Sequence, residues 1–133
     1  MSSKKTYDKY CREVDEQFDK WLKRLTAIKT HNLTEEEWLK AVAYFNGCAL
    51  CDSESIESRS YFISFKDGGR YNRCNVIPLC DKCATALIYQ RNPFRRLHPS
   101  LSQTVRPTRE LSKQKLSGVV DYLQRAMEDA ENE

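Results

Sequence analysis

The chain contains no uninterrupted apolar run approaching the roughly 20 residues that span a bilayer. Its start, MSSKKTYDKYC, lacks the apolar stretch of a secretory leader. Both absences argue against the membrane and predict a cytoplasmic protein. Internal repeats and low-complexity tracts are missing too, which sets aside solenoids and compositionally driven disorder. Histidine is scarce: His31 and His98 are the two in 133 residues, which leaves little imidazole for catalysis. Hydrophobic residues, at 40%, fall slightly below the usual globular share, and charged residues, at 31%, exceed it. A chain of 133 residues with that balance supports one domain with a thin core and much helical surface.

Cysteine, by contrast, is abundant, with six residues. Reducing thiol pools disfavour cytosolic disulfides, so metal binding becomes the leading explanation. Cys48-Ala49-Leu50-Cys51 and Cys80-Asp81-Lys82-Cys83 are two Cys-x-x-Cys turns, each able to present two sulfurs to one ion, and 28 residues separate them. Four thiolates suit zinc, and they leave no coordination position open, so one structural zinc held by Cys48, Cys51, Cys80 and Cys83 is expected. Cys11 and Cys74 have no such partner and read as small buried hydrophobes.

Periodicity organises the rest. Tyr7, Tyr10, Val14, Phe18, Trp21, Leu25 and Ile28 recur at three- and four-residue spacing, which predicts an amphipathic helix over 4–29. Thr34 and Glu37 form a capping-box signature for a second helix, and Asn46-Gly47 marks its end. The run 61–65 (YFISF) reads as a strand, 66–69 as its turn, and 75–78 as a second strand. Asp81 is placed to cap a helix reaching about residue 90. Three prolines within 91–107 predict an extended connector, and Leu111, Leu116, Val119, Val120, Leu123 and Met127 give a last helix over 108–130. The expected class is α+β: an amphipathic helix in 1–33, a zinc-bearing ββα core in 34–92, a basic connector in 93–107 and a C-terminal helix in 108–133.

Charge is uneven. Between residues 82 and 106 lie Lys82, Arg91, Arg95, Arg96 and Arg106 with no acidic residue, whereas 108–133 carry six acidic residues against four basic ones. Arg59, Arg70, Arg73, Lys82, Arg91, Arg95 and Arg96 are candidates for neutralising nucleic-acid phosphates, with Phe94 beside Arg95-Arg96 as a stacking residue.

Residues 46–84 resemble the zinc-bearing branch of the HNH endonucleases, phage-type proteins with a ββα-metal fold. The resemblance runs through Gly47-Cys48-Ala49-Leu50-Cys51, Phe62-Ile63, Phe65-Lys66-Asp67-Gly68-Gly69-Arg70-Tyr71, Asn75-Val76-Ile77-Pro78-Leu79-Cys80 and Cys83. It implies phosphodiester chemistry in which a histidine deprotonates water and one divalent metal stabilises the developing charge. Matched residue by residue, the metal-binding Asp falls on Ser60, the general-base His on Tyr61, and the helical ligand on or near Ala84. A phenol keeps its proton at neutral pH, and a hydroxyl with a methyl group offers magnesium neither carboxylate nor imidazole. Asn75, which in the family orients the active-site loop, is retained.

Three function classes remain open in the sequence. The preferred one is a catalytically inactive HNH-like module that binds DNA. A second is an accessory or inhibitor factor of a phage or mobile element, acting on a host or phage protein or pairing with itself through the terminal helices, in the host cytoplasm if phage-encoded. The third is an active endonuclease with a rearranged site that uses Tyr61, or Asp67 and Asp81 as relocated ligands.

Overall fold

Helix formation follows the apolar stripes. The computed structural model describes residues 3–51, 53–88, 94 and 113–133, and α1 occupies Ser3–Ala27. It ends short of the predicted residue 29 because the Ile28 N–H turns back to the Leu25 carbonyl at 3.4 Å, tightening the last turn. Helix α2 (Glu35–Phe45) starts at the expected capping box. The Thr34 N–H donates to Glu37 Oε1 at 2.9 Å, and the Glu37 N–H donates to Thr34 Oγ1 at 3.2 Å. Asn46 ends the helix in the left-handed conformation (φ 53°), its N–H donating to the Val42 carbonyl. Thr34→Ala is expected to cost about 1 kcal/mol of stability, read from urea denaturation, because the Glu37 N–H loses its side-chain acceptor.

The two strands, β1 (Ser58–Tyr61) and β2 (Val76–Leu79), pair antiparallel, Ser58 opposite Leu79 and Tyr61 opposite Val76. The predicted first strand over 61–65 is therefore displaced towards the N-terminus. Its aromatic residues suggested pairing, but beyond Tyr61 the ladder closes with one bond, from the Phe62 N–H to the Asn75 carbonyl. Ile63 then bonds to the Asn75 side chain instead of a strand. The chain continues into a short 3-10 turn, Phe65–Asp67, where the Ser64 hydroxyl accepts the Asp67 N–H. At Gly69 an added Cβ would lie 1.7 Å from the Ile63 carbonyl oxygen, so no side chain fits this close approach. The second strand starts one residue later than the predicted 75, since Asn75 serves the loop.

Helix α3 (Asp81–Ile88) carries Asp81 as its first residue rather than as a cap, and the predicted residues 89–90 lie outside the described residues. Helix α4 spans Lys113–Glu131; the predicted start at 108, Leu111 and most of the connector also lie outside them. Among the described residues the fold is thus mixed α+β, with four helices and one two-stranded antiparallel sheet.

A continuous core joins these elements. It gathers Val14, Trp21 and Leu25 of α1, Phe62 and Ile63, Ile77 and Leu79 of β2, Ala86 and Leu87 of α3, and Leu116, Val119, Leu123 and Met127 of α4. The four α4 side chains are fully buried, each worth about 1.5–3 kcal/mol relative to exposure. The Arg24–Glu131 ion pair at 2.7 Å also ties α1 to α4, but it is solvent-exposed and screened, so packing docks the helix. Both amphipathic stripes are directed into this core; any pairing of copies through the terminal helices would use their outer faces.

Candidate metal centre and the adjoining cleft

Each cysteine of the two pairs sits where the chain changes element. Cys48 and Cys51 follow the left-handed exit of α2 through Gly47 (φ 126°), Cys80 follows β2, and Cys83 lies in the first turn of α3. Backbone bonds close the first turn and tie it to β2: the Cys48 N–H donates to the Ser53 carbonyl at 3.0 Å, and the Ala49 N–H to the Pro78 carbonyl at 2.8 Å. The four sulfurs lie within 4.8 Å of one another, and all four thiols are free. Cys51 Sγ and Cys80 Sγ are 3.7 Å apart, too far for a disulfide. Bonds of about 2.3 Å at tetrahedral angles to a central ion place sulfurs roughly 3.8 Å apart. The cluster is therefore compatible with a structural metal ion.

Electrostatics point the same way. Burial acts to raise the Cys51 thiol, but it is outweighed by the Ser53 N–H, 3.4 Å from the sulfur, and by the neighbouring thiols, which pull it down to about 7. Burial pushes the Cys48 thiol up. Four packed sulfurs cannot all become thiolates without a cation between them, and a bound metal would supply that charge. With four protein ligands, such an ion keeps no site for water or substrate.

The two unpaired cysteines stand apart from this cluster. Cys74 is fully buried, and desolvation pushes its thiol up to about 11, so it remains a neutral core side chain. Cys11 departs from the expectation: it is half-buried, at the flank of the α1 stripe, where it packs on the edge of the core.

Beside the metal centre, a cleft of about 720 Å³ opens between β1, the 3-10 turn and α3. Ser58, Ser60, Tyr61, Phe65, Lys66, Asp67, Ala84 and Leu87 are among its lining residues. The structure thus brings Ala84 of α3 to the same place as the neighbouring Ser60 and Tyr61 of β1. Ser58 and Ser60 share a face of β1 through its two-residue alternation, their hydroxyls 2.7 Å apart. Asp67 lines the cleft and accepts the Ser64 hydroxyl at 2.9 Å; among the described residues it is the one carboxylate in the lining, and none of them there is a histidine. Asp81 lies outside the lining, and His31 is bonded to Glu37 at 3.1 Å on the surface, while His98 falls outside the described residues. Sequence reasoning missed Ser58, Ser64 and Phe65 as cleft residues: Ser58 lies in a polar strand with no pattern of its own, and the expected strand 61–65 takes in the other two, which belong to the 3-10 turn at the cleft.

Asn75 holds the loop that forms one wall. It is completely buried; its Oδ1 accepts the Ile63 N–H at 2.8 Å, and its Nδ2 donates to the carbonyls of Ile63 at 2.9 Å and Arg70 at 3.1 Å. The amide thus satisfies both backbone groups of Ile63 and adds a second donor to the Arg70 carbonyl, which also accepts the Asn72 N–H at 3.0 Å.

The candidate phosphate-binding residues divide by environment. Arg59 donates to Glu35 at 2.9 Å and to the Tyr71 hydroxyl at 3.0 Å, with its guanidinium 4.7 Å above the Trp38 ring. Arg73 bridges Glu37 and Glu133. For Glu37, desolvation pushes upward but is outweighed by hydrogen bonds from Thr34, His31 and Arg73, which hold it below the usual carboxylate range. Arg70 and Lys82 are exposed and have no ion pair among the described residues; Arg91, Arg95 and Arg96 lie outside these residues. Phe94 corrects its assignment as a stacking residue: it is 1% exposed, with its ring centroid 5.3 Å from Trp21 and 6.0 Å from Phe62. Those two rings form a slot that removes it from solvent.

Comparison of the chain with protein-family models, with curated proteins and with solved structures returns no match. Among the described residues, no helix is long and apolar enough to cross a membrane.

Proposed function

We propose that the chain is a zinc-stabilised HNH-like module that has lost phosphodiester cleavage and binds DNA through basic residues. The observation that carries the reading is the cleft. The positions matched to a metal-binding Asp, a general-base His and a helical ligand meet there as Ser60, Tyr61 and Ala84. Support comes also from the order of elements, an antiparallel strand pair followed by a helix that bears the last cysteine, and from Asn75 bracing the intervening loop.

Zinc suits the donor set: tetrahedral sites of four soft thiolates select zinc or iron, and the motif resembles zinc-bearing proteins. Bound there, zinc would neutralise the thiolates and cross-link β2, α3 and the turn after α2. The cleft chemistry disfavours cutting. A magnesium ion takes oxygen ligands led by carboxylates, and the single carboxylate among the described lining residues, Asp67, is already engaged by Ser64. Cations remain for phosphate contact: Arg70 and Lys82 on the described surface, with Arg91, Arg95 and Arg96 following α3 in sequence. Arg59 and Arg73 would first have to leave their carboxylate partners.

Two measurements test the proposal together. Purified protein incubated with plasmid and Mg²⁺, Mn²⁺ or Ni²⁺ is expected to leave it uncut; metal-dependent nicking abolished by Tyr61→Phe would overturn the reading. Binding to a labelled duplex is expected to weaken steeply with salt, the slope of log K against log salt falling by about 0.9 for each phosphate contact removed. Arg95→Ala with Arg96→Ala should flatten that slope. Salt-insensitive binding, or none, refutes the DNA-binding role.

A further inference from the structure

We infer that the cleft beside the metal centre receives a single unpaired nucleobase from a nucleic-acid strand whose phosphates lie against cations at its rim. The inference rests on the DNA-binding reading above and goes beyond it by naming what the nucleic acid presents.

Size and lining come first. A cleft of about 720 Å³ has room for a nucleotide and falls within the range of small-molecule sites. Its walls combine apolar surface, from Phe62, Ile63, Ala84 and Leu87, with the hydroxyls of Ser58, Ser60, Ser64 and Tyr61. A hydroxyl can donate or accept, so this lining can meet either kind of group on a base edge and is tolerant of base identity. The apolar surface suits the flat face of a base.

The rim adds a second, independent observation. Phe65 is 68% exposed, an unusual position for a large aromatic residue, and it stands at the cleft beside Lys66. The Arg70 guanidinium lies 5.7 Å from the centre of its ring, which leaves most of the ring in solvent. Lys66 and Arg70 make no ion pair with any described residue, unlike Arg59 and Arg73. Arg70 also makes long hydrogen bonds to the Gly68 and Gly69 carbonyls, which leave its charge unneutralised. An exposed ring flanked by cations with no carboxylate partner among the described residues is the pairing that single strands use, stacking a base while neutralising the adjoining phosphates. A base inside a duplex cannot enter without being unstacked and unpaired at a cost of a few kcal/mol, so the site favours bases that are already unpaired.

The test is fluorescence anisotropy with three labelled DNAs: a fully paired duplex, the same duplex with a one-nucleotide bulge, and a single strand. The bulged and single-stranded forms are expected to bind about tenfold tighter than the paired duplex. Ala84→Leu, which fills the cleft, and Phe65→Ala, which removes the platform, should each bring that ratio close to one. Phe65 is exposed, so its substitution does not threaten folding, and metal content verifies that the Ala84→Leu protein is folded. Equal affinity for paired and unpaired DNA would overturn the inference and leave the DNA-binding reading intact. A protein that binds none of the three removes both. A preference that persists in both variants also overturns it, as does an acidic peptide whose binding depends on Phe65 and on Ala84, which would assign the cleft to a protein partner.

Discussion

Cys80→Ser is expected to abolish cooperative unfolding of the central region, and exhaustive chelation of the wild-type protein should do the same. Metal analysis of the untreated protein should return about one zinc per chain. The size of the effect follows from what the ion joins. The four cysteines that would hold it come from the turn after α2, the end of β2 and the start of α3, and three of them are buried. Structural zinc contributes apparent binding free energies of about 10–16 kcal/mol in zinc-finger peptides, as large as the whole stability of an ordinary domain, about 5–15 kcal/mol. The sheet has two strands, which seldom persist without further support. Loss of near-ultraviolet circular dichroism and of the thermal transition on chelation is the expected readout. Cys74→Ser is the control, since Cys74 lies outside the cluster, and it should retain full metal content. A chelated protein that melts unchanged, or iron in place of zinc, would refute the assignment.

Asn75→Ala is expected to destabilise the protein by roughly 3–5 kcal/mol, the second large effect, because each buried backbone group stripped of its partner costs about 1–3 kcal/mol. Two such groups depend on this amide, the N–H and the carbonyl of Ile63, while the Arg70 carbonyl, which it also bonds, keeps the Asn72 N–H. Ile63 is 1% exposed, so water cannot readily substitute. Asn75→Asp keeps the acceptor for the Ile63 N–H and loses the donor to both carbonyls, so it should also be destabilising. Chemical denaturation of metal-loaded protein measures both variants. A loss below about 1 kcal/mol for the alanine variant would show that the loop between β1 and β2 does not depend on the amide.

The loop also explains why part of the molecule was hidden in its sequence. YFISF has the aromatic and β-branched content of a strand, yet the ladder closes at the bond from the Phe62 N–H to the Asn75 carbonyl, and beyond it the Asn75 side chain supplies the hydrogen bonds of Ile63. The true first strand, Ser58–Tyr61, is polar, and it is a strand because β2 lies beside it. Local propensity cannot express either fact. Phe94 fails for a related reason: beside two arginines it reads as a surface residue, but Trp21 and Phe62 complete an aromatic slot around it. The ion pairs of Arg59 with Glu35 and of Arg73 with Glu133 span 24 and 60 residues, distances over which charge pattern alone gives no pairing.

Other features were legible because their causes are local. The capping box at Thr34 and Glu37 needs three residues' spacing and nothing else. The stripes of α1 and α4 follow from helical periodicity, and their burial from the area they remove from water. The four cysteines were readable as one cluster because two tight turns each constrain a pair, and thiols have few other uses at that spacing. By itself, then, the sequence determined the helices and their inward faces, the end of α2, and which four thiols gather. Tertiary structure alone decided where the strands pair, which aromatics are buried, which arginines are neutralised, and that Ser60, Tyr61, Ala84 and the exposed Phe65 share one cleft. The division is physical: turns and periodicities act over a few residues, whereas a cleft exists only when strand, turn and helix, brought together by the core and the cysteine cluster, leave a space between them.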